Sequence, residues 1–220
     1  MGAVVRGALA TVNGSSLGAV VSFQYNPEKI ERTLTPQFNT GQDQKAKVLQ
    51  YSDAPSQSIT FTAFLDASDK LQTSDSVTMQ RGIAPQLAQL ESFAYPSRSE
   101  WLACLKKRKV GEMEIQLPLA GSLILVWGDK RVYPVRITSL RISETMFDAA
   151  LNPIQANAVI AVNVLTYNQS LPDSGDYLRF FAYHGALERD AQLAPASPDK
   201  SSIGSLVQTA SQSLDAQANS

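Results

Sequence analysis

The chain has 220 residues, of which 44% are hydrophobic and 18% charged, and its formal net charge is -1 at pH 7. That length suffices for one substantial core or two small ones, and the near-neutral balance excludes polyanion binding through bulk charge, leaving only a local basic patch for such a role. The single cysteine, Cys104, excludes an internal disulfide framework, and with the single histidine, His184, it leaves no Cys/His set for a structural zinc site.

Residues 1–16 read as an N-terminal arm. The opening MGAVVRGALATVNG carries one arginine and is broken by Gly7 and Gly14, which makes it short and flawed as a signal sequence. No run reaches the roughly 18 apolar residues that span a bilayer, and Arg6 breaks the myristoylation pattern. Synthesis and assembly in the cytoplasm are therefore expected, without direct membrane insertion. Residues 17–25, LGAVVSFQY, alternate as a strand with Phe23 and Tyr25 on one face. Asn26-Pro27 ends it or opens a turn, because proline lacks an N–H and restricts the residue before it. Residues 28–38 read as extended or irregular, and Pro36 argues against a central strand. A polar loop is predicted over 39–55. In SQSITFTAFLDA, Ile59, Phe61 and Ala63 fall on one face of a strand and Thr60, Thr62 and Phe64 on the other.

From Ser76 the period changes to 3.6: Ile83, Leu87, Leu90 and Ala94 recur at helical spacing, so one amphipathic helix is predicted over 77–93, with Pro96 just past its end. The second half reads almost wholly as strands. GEMEIQLPL (111–119) alternates, GSLILVWGDK (121–130) runs to a Gly128-Asp129 turn, and 131–147 sets Val135, Ile137 and Ser139 against Arg136, Thr138 and Leu140. In 151–169, Ala158, Ile160, Val162 and Val164 oppose Val159, Ala161, Asn163 and Leu165, a pattern that reads as covered on both faces. The fold expected is mostly β: a small antiparallel barrel or sandwich, residues 17–169, with one packed α-helix, followed by an extended C-terminal arm and low-complexity tail over 170–220. DYLRFFAYHGALERDAQL (176–193) reads either as a short helix with exposed aromatics or as an arm, and the Ser- and Ala-rich segment after Pro195 has little to bury.

Enzymatic chemistry finds no foothold in this pattern. There is no Gly-rich phosphate loop, no His-x-x-x-His pair and no G-x-S-x-G elbow. The carboxylates Glu112, Glu114, Asp129, Glu144 and Asp148 read as solvated turn and strand residues rather than a glycosidase pair. Asp66 and Asp69 read as turn formers, since a cation would need more oxygen ligands than the local pattern supplies. Cys104 reads as a buried or half-buried small apolar residue. Neither a catalytic set, a cofactor nor a metal is expected. The one concentrated positive feature is Lys106, Lys107, Arg108 and Lys109. Aromatics are not interleaved with these cations, so a solvated face or an acidic partner fits better than nucleic acid.

Three segments in order carry a family resemblance. VSFQYNPEKIERTLTPQF resembles the start of the tube-type proteins of contractile injection systems, with its strand followed by a variant of Phe-x-Asn-Pro. SITFTAFLDASDK is similar to the family's strand ending in a Phe-x-Asp type turn. In the segment that begins LILVWGDK, Trp127-Gly128, Phe147, Pro153 and Ala156 fit the long C-terminal hairpin region, whereas Leu151 stands for the usual Gly and Gln155 for the usual Arg. The resemblance implies a tail-tube β-barrel with a helix, acting without an active site as a baseplate or tube-initiating adaptor between spike and inner tube. Its implied partners are identical copies in a hexameric ring, the inner tube protein, a VgrG-like spike protein and other baseplate proteins. The particle would be assembled in a bacterial cytoplasm and either attached to a membrane or released. Many family members append a LysM module, for which 170–220 shows no pattern, and this departure favours a plain tube or tube-initiator role. The alternatives are a main tube protomer and a baseplate module that binds cargo or a cell surface. Candidate partner contacts are Asn26, Pro27, Lys106, Lys107, Arg108, Lys109, Tyr177, Phe180, Phe181 and Tyr183.

Overall fold

The computed structural model describes residues 6–14, 16–39, 50–110, 121–128 and 130–195, together with positions 199, 201, 203–205 and 208; the side chains of 107–110 lie outside this description. Two compact units are delimited, Met1–Tyr183 and His184–Ser220.

Residues 8–13, read above as part of an arm, form a strand, β1 (Ala8–Asn13). At Gly14, whose φ of +62° suits glycine, it turns into β2 (Ser16–Ser22). Then come β3 (Ile30–Asn39), β4 (Gln50–Asp66), the helices α1 (Ser68–Gln72), α2 (Ser76–Arg81), α3 (Ala84–Ser92) and α4 (Arg98–Val110), and the strands β5 (Leu123–Trp127), β6 (Arg131–Phe147) and β7 (Pro153–Val164). A short 3₁₀ turn, Tyr167–Gln169, leads to α5 (Gly175–Gln192). The strands form one antiparallel sheet in the order β2-β1-β5-β6-β7-β4-β3.

The mostly-β, antiparallel expectation holds, but the barrel is not closed. Among the described residues β2 pairs only with β1 and β3 only with β4. The chain leaves the sheet between the two edges through residues 23–29. There Phe23 N–H donates to Gly7 O at 2.8 Å, and Asn26 Oδ1 accepts from Gly7 N at 3.1 Å. The sheet nevertheless coils enough for Leu9 of β1 and Phe61 of β4, at opposite ends of the run β1-β5-β6-β7-β4, to share one core with Leu125, Tyr133, Ile160 and Val162. An aromatic triangle anchors it: Phe61 lies 5.2 Å from Phe23 and 5.5 Å from Trp127, centroid to centroid.

β3 continues through Pro36. The register slips between Thr35/Ser56 and Gln37/Asp53, so Pro36 falls in a bulge on an edge strand, where a missing N–H costs least. Of the loop predicted over 39–55, Asn39 ends β3 and 50–55 belong to β4, while 40–49 lie outside the described residues. Beyond the Gln57–Val164 pair β4 has, among the described residues, only β3 beside it, making a two-stranded ribbon on which the Phe38 and Tyr51 rings pair at 5.0 Å. On β7, Ala158, Ile160, Val162 and Val164 are buried as expected, but Asn157, Val159 and Asn163 are exposed, so one face of this strand is uncovered. On β6 the inward phase changes. Ile137 pairs with Val162 and Ser139 with Ala161, leaving Thr138 as an extra residue. This bulge turns Leu140 and Ile142 toward the core in place of Ser139. The strand expected over 111–119 lies outside the described residues.

The single helix becomes several. Gly82, with φ +55° and ψ -133°, ends α2, and Pro85 sits in the first turn of α3. Ile83, Leu87 and Leu90 are buried as the period predicts, whereas Ala94 is exposed. Helix α4 was not anticipated. The segment read as a short helix or an extended arm is the 18-residue α5. In the second unit, His184 Nδ1 lies 3.5 Å from Glu188 Oε1 on that helix.

Three carboxylates clamp turns, Asp66 and Asp75 at the starts of α1 and α2 and Asp148 between β6 and β7. The Ser68 hydroxyl holds Asp66 below its ordinary 3.8, the Thr78 hydroxyl does so for Asp75, and Asn152 does so for Asp148. Asp148 Oδ1 accepts from the N–H groups of Ala150 and Asn152, both at 2.8 Å, steadying Leu151 at φ +63°. Because each folded-state value is depressed, this stabilisation is complete above the unfolded value and is lost as pH falls through the folded one. Thermal midpoints measured across acidic pH should be flat above about pH 5 and fall below 3.8. Asp75→Asn with Asp148→Asn should flatten that fall; an unchanged acid limb in the double variant would refute the assignment.

Candidate partner interface

The helices and the core cover one side of β4, β6 and β7, and the other side is open. Ser58, Thr62, Asn157, Val159 and Asn163 are exposed there, with Thr60 and Ala161 between them at intermediate exposure. Apart from Val159 these are small or hydrogen-bonding side chains, and β7 carries no charged residue at all. At one corner of this face the β2–β3 connection walls a cavity of about 630 Å³ lined by Tyr25, Asn26, Pro27, Thr60, Thr62 and Phe64. Tyr25 and Phe64 are ring-paired at 5.7 Å.

The predicted contact residues stand on three separate elements. Asn26 and Pro27 lie on the β2–β3 connection. Asn26 ties that connection to Gly7, a structural duty that its sequence context did not reveal. Lys106 is exposed on α4; Lys107, Arg108 and Lys109 belong to the same helix, with side chains outside the described set. Cys104, between them and Trp101, is buried as expected.

The aromatics of α5 are largely engaged within the first unit. Phe180 is only 8% exposed. The Tyr183 hydroxyl donates to Gln57 Oε1 at 3.0 Å, and its ring lies 4.8 Å from that of the fully buried Tyr133. Burial pushes the Tyr183 phenol above its ordinary value. Tyr177 and Phe181 pack edge-on at 5.0 Å, and Phe181 also stacks on Tyr167 while remaining 48% exposed. Polar contacts fix the start of the helix: Ser122 Oγ donates to Asp176 Oδ2 at 2.6 Å, Asp176 pairs with Arg179 at 2.9 Å, and Arg179 also donates to Gly14 O. Phe181 and Leu178 keep exposed surface and Tyr177 is half-buried, whereas Phe180 and Tyr183 are packed into the fold. The reading of 176–193 missed this because a helix whose apolar residues point several ways gives no clear inward stripe.

Among the described residues no cluster of His, Cys, Asp and Glu is placed to hold a metal ion, and no helix is long and apolar enough to cross a membrane. Asp66 accepts from Ser68 and Gln155 Nε2, and Asp148 closes its own turn, so both carboxylates have structural work. Glu144 is exposed on β6, while Glu112, Glu114 and Asp129 lie outside the described residues.

No curated protein matches the chain. Two solved structures are similar to it. One is the virion of a native gene transfer agent particle, at 9% identity over 72% of this chain and 90% of that chain, with a TM-score of 0.26. The other is the tail of an empty gene transfer agent particle in C6 symmetry, at 11% identity over 73% and 90%, with a TM-score of 0.30. The family model of the contractile injection system tube protein matches residues 8–169, a span that runs from β1 through all seven strands to the end of the 3₁₀ turn. With that match over most of its length, the chain belongs to the contractile injection system tube protein family, whose members are structural components of tail-like particles.

Proposed function

We propose that this protein is a non-enzymatic, tube-initiating adaptor of the baseplate, closed with identical copies into a hexameric ring between the spike and the inner tube. The observation that carries this reading is the asymmetry of the sheet. One side is sealed by core and helices, while the other is left open with Ser, Thr, Asn and Ala around the exposed Arg136 and Arg141. Such a face suits a channel wall, since it presents a passing cargo with hydrated polar and charged side chains rather than with apolar surface. Among the described residues the edges β2 and β3 carry main-chain groups without a strand partner, which suits pairing with neighbouring copies. The β3–β4 ribbon, α4 with Lys106, Lys107, Arg108 and Lys109, and the Tyr177–Phe181 surface of α5 offer further contacts, which favours an adaptor with unlike neighbours over a uniform tube protomer. Asn26 and Pro27 shape the corner where such a neighbour would enter. Assembly takes place in a bacterial cytoplasm, with the particle membrane-attached or released afterwards.

Co-expression with the spike and tube proteins of the same particle tests this. Negative-stain images should show rings, and mass spectrometry of purified particles should give about one ring of this protein per particle. A copy number equal to that of the inner tube subunit would make it the main tube protomer. A compact monomer with every partner combination would refute the ring.

A further inference from the structure

We propose that the open face of the sheet is a docking track for acidic polypeptide, held by Arg136 and Arg141. The inference deepens the channel reading above and rests on it for where the partner travels, but not for the binding itself.

These two arginines are five residues apart on β6, a spacing that in a regular strand places side chains on opposite faces. The bulge at Thr138 cancels that. Arg136 pairs with Asn163 and Arg141 with Val159, and both β7 partners are exposed on the open face. Since cross-strand partners point to the same side, the two guanidinium groups share that face, roughly 14 Å apart along the strand. The same extra residue keeps Ile137, Leu140 and Ile142 against the core. Without it, the strand would place either Arg141 or Ile137 wrongly.

Both arginines are exposed, and neither guanidinium has a hydrogen bond or ion pair among the described residues. The sheet carboxylates on this side are already engaged. Glu31, on the β3 edge, pairs with Lys29, and Asp66, at the far end of β4, accepts from Ser68 and Gln155. Exposed Glu28 stands only at the corner by Pro27. The centre of the face therefore carries positive charge over a neutral, hydrogen-bonding surface, and the complementary partner is anionic.

A polypeptide fits better than nucleic acid. Sequence-tolerant strand binding needs cations at phosphate density and aromatic platforms for the bases. Here the cations are widely spaced, and Tyr25 and Phe64 pair with each other at the corner. Ser58, Thr60, Thr62, Asn157 and Asn163 instead offer donors and acceptors that match a peptide main chain.

The test uses the full chain and fluorescently labelled poly-L-glutamate, followed by anisotropy at two salt concentrations. Wild type should bind, and more weakly at the higher salt. Arg136→Gln with Arg141→Gln should weaken binding about tenfold or more without moving the thermal midpoint. Arg136→Lys with Arg141→Lys should retain most of it, and Arg81→Gln, exposed at the end of α2, should change nothing. Absence of wild-type binding, or undiminished binding by the double glutamine variant, overturns the proposal. Tighter arginine-dependent binding of a single-stranded oligonucleotide overturns it in favour of nucleic acid. The ring image separates the two readings. A ring with this face outward refutes the channel wall yet leaves glutamate binding standing, whereas an inward face without glutamate binding refutes the track alone.

Discussion

Replacing Gly82 by alanine should unseat the α2–α3 corner and lower stability by at least about 3 kcal/mol. Gly82 is buried at φ +55° and ψ -133°, a region open essentially to glycine. An added Cβ would overlap the carbonyl oxygen of Pro153 and stand 2.9 Å from its carbonyl carbon. The same Pro153 carbonyl accepts from Ile83 N–H at 2.8 Å, so the backbone cannot move away without losing the bond that docks α3 on β7. Ile83, 1% exposed, and Leu87 would lose their packing on Ala67 and Ala156. For a unit of this size the thermal midpoint should fall by about 10 °C. Gly14→Ala is the control. Its φ is +62° but nothing lies within 4 Å of the new Cβ, so only the dihedral cost of about 1 kcal/mol applies. Equal shifts for the two variants would show that the approach to Pro153 does not matter.

Phe61→Ala should cost about 4 kcal/mol by removing the hub of the aromatic triangle. Phe61 is 2% exposed and lies between Phe23, from the β2–β3 connection, and Trp127 of β5. Its loss leaves a cavity between segments that no shared hydrogen-bond ladder draws together, so collapse is limited. The adjacent Thr62, which faces outward and is exposed, should tolerate alanine within about 0.5 kcal/mol. Denaturant titration of both variants decides it: similar midpoints would mean that the core does not lie on the Ile59, Phe61, Ala63 side.

The strands whose alternation was unbroken were legible beforehand. Residues 58–66 of β4 and the inward set of β7 follow period two because a hydrophobic face is buried there over the whole pairing. The amphipathic stripe of Ile83, Leu87 and Leu90 was equally visible. The misses share a cause, which is that pairing partners are distant in sequence. β1 reads as an arm because its six residues reveal nothing until β5 lies beside them. Residues 50–55 are polar enough for a loop, and β3 supplies the ladder that makes them a strand. The bulge at Thr138 is set by the register with β7, and no local pattern announces it. The candidate contact residues were legible as types but not as roles. Phe180 and Tyr183 look like exposed aromatics until Tyr133, Gln57 and Tyr167 are placed next to them.

β7 is flanked along most of its length by β6 on one side and β4 on the other, and its own side chains are uncharged. A pull directed along the strands would have to slide both ladders at once, breaking many amide bonds in parallel. A pull directed across them would open the same bonds one after another. The protein is thus mechanically anisotropic, stiff along β7 and weaker at its flanks, and a thrust aligned with that axis meets its greatest resistance.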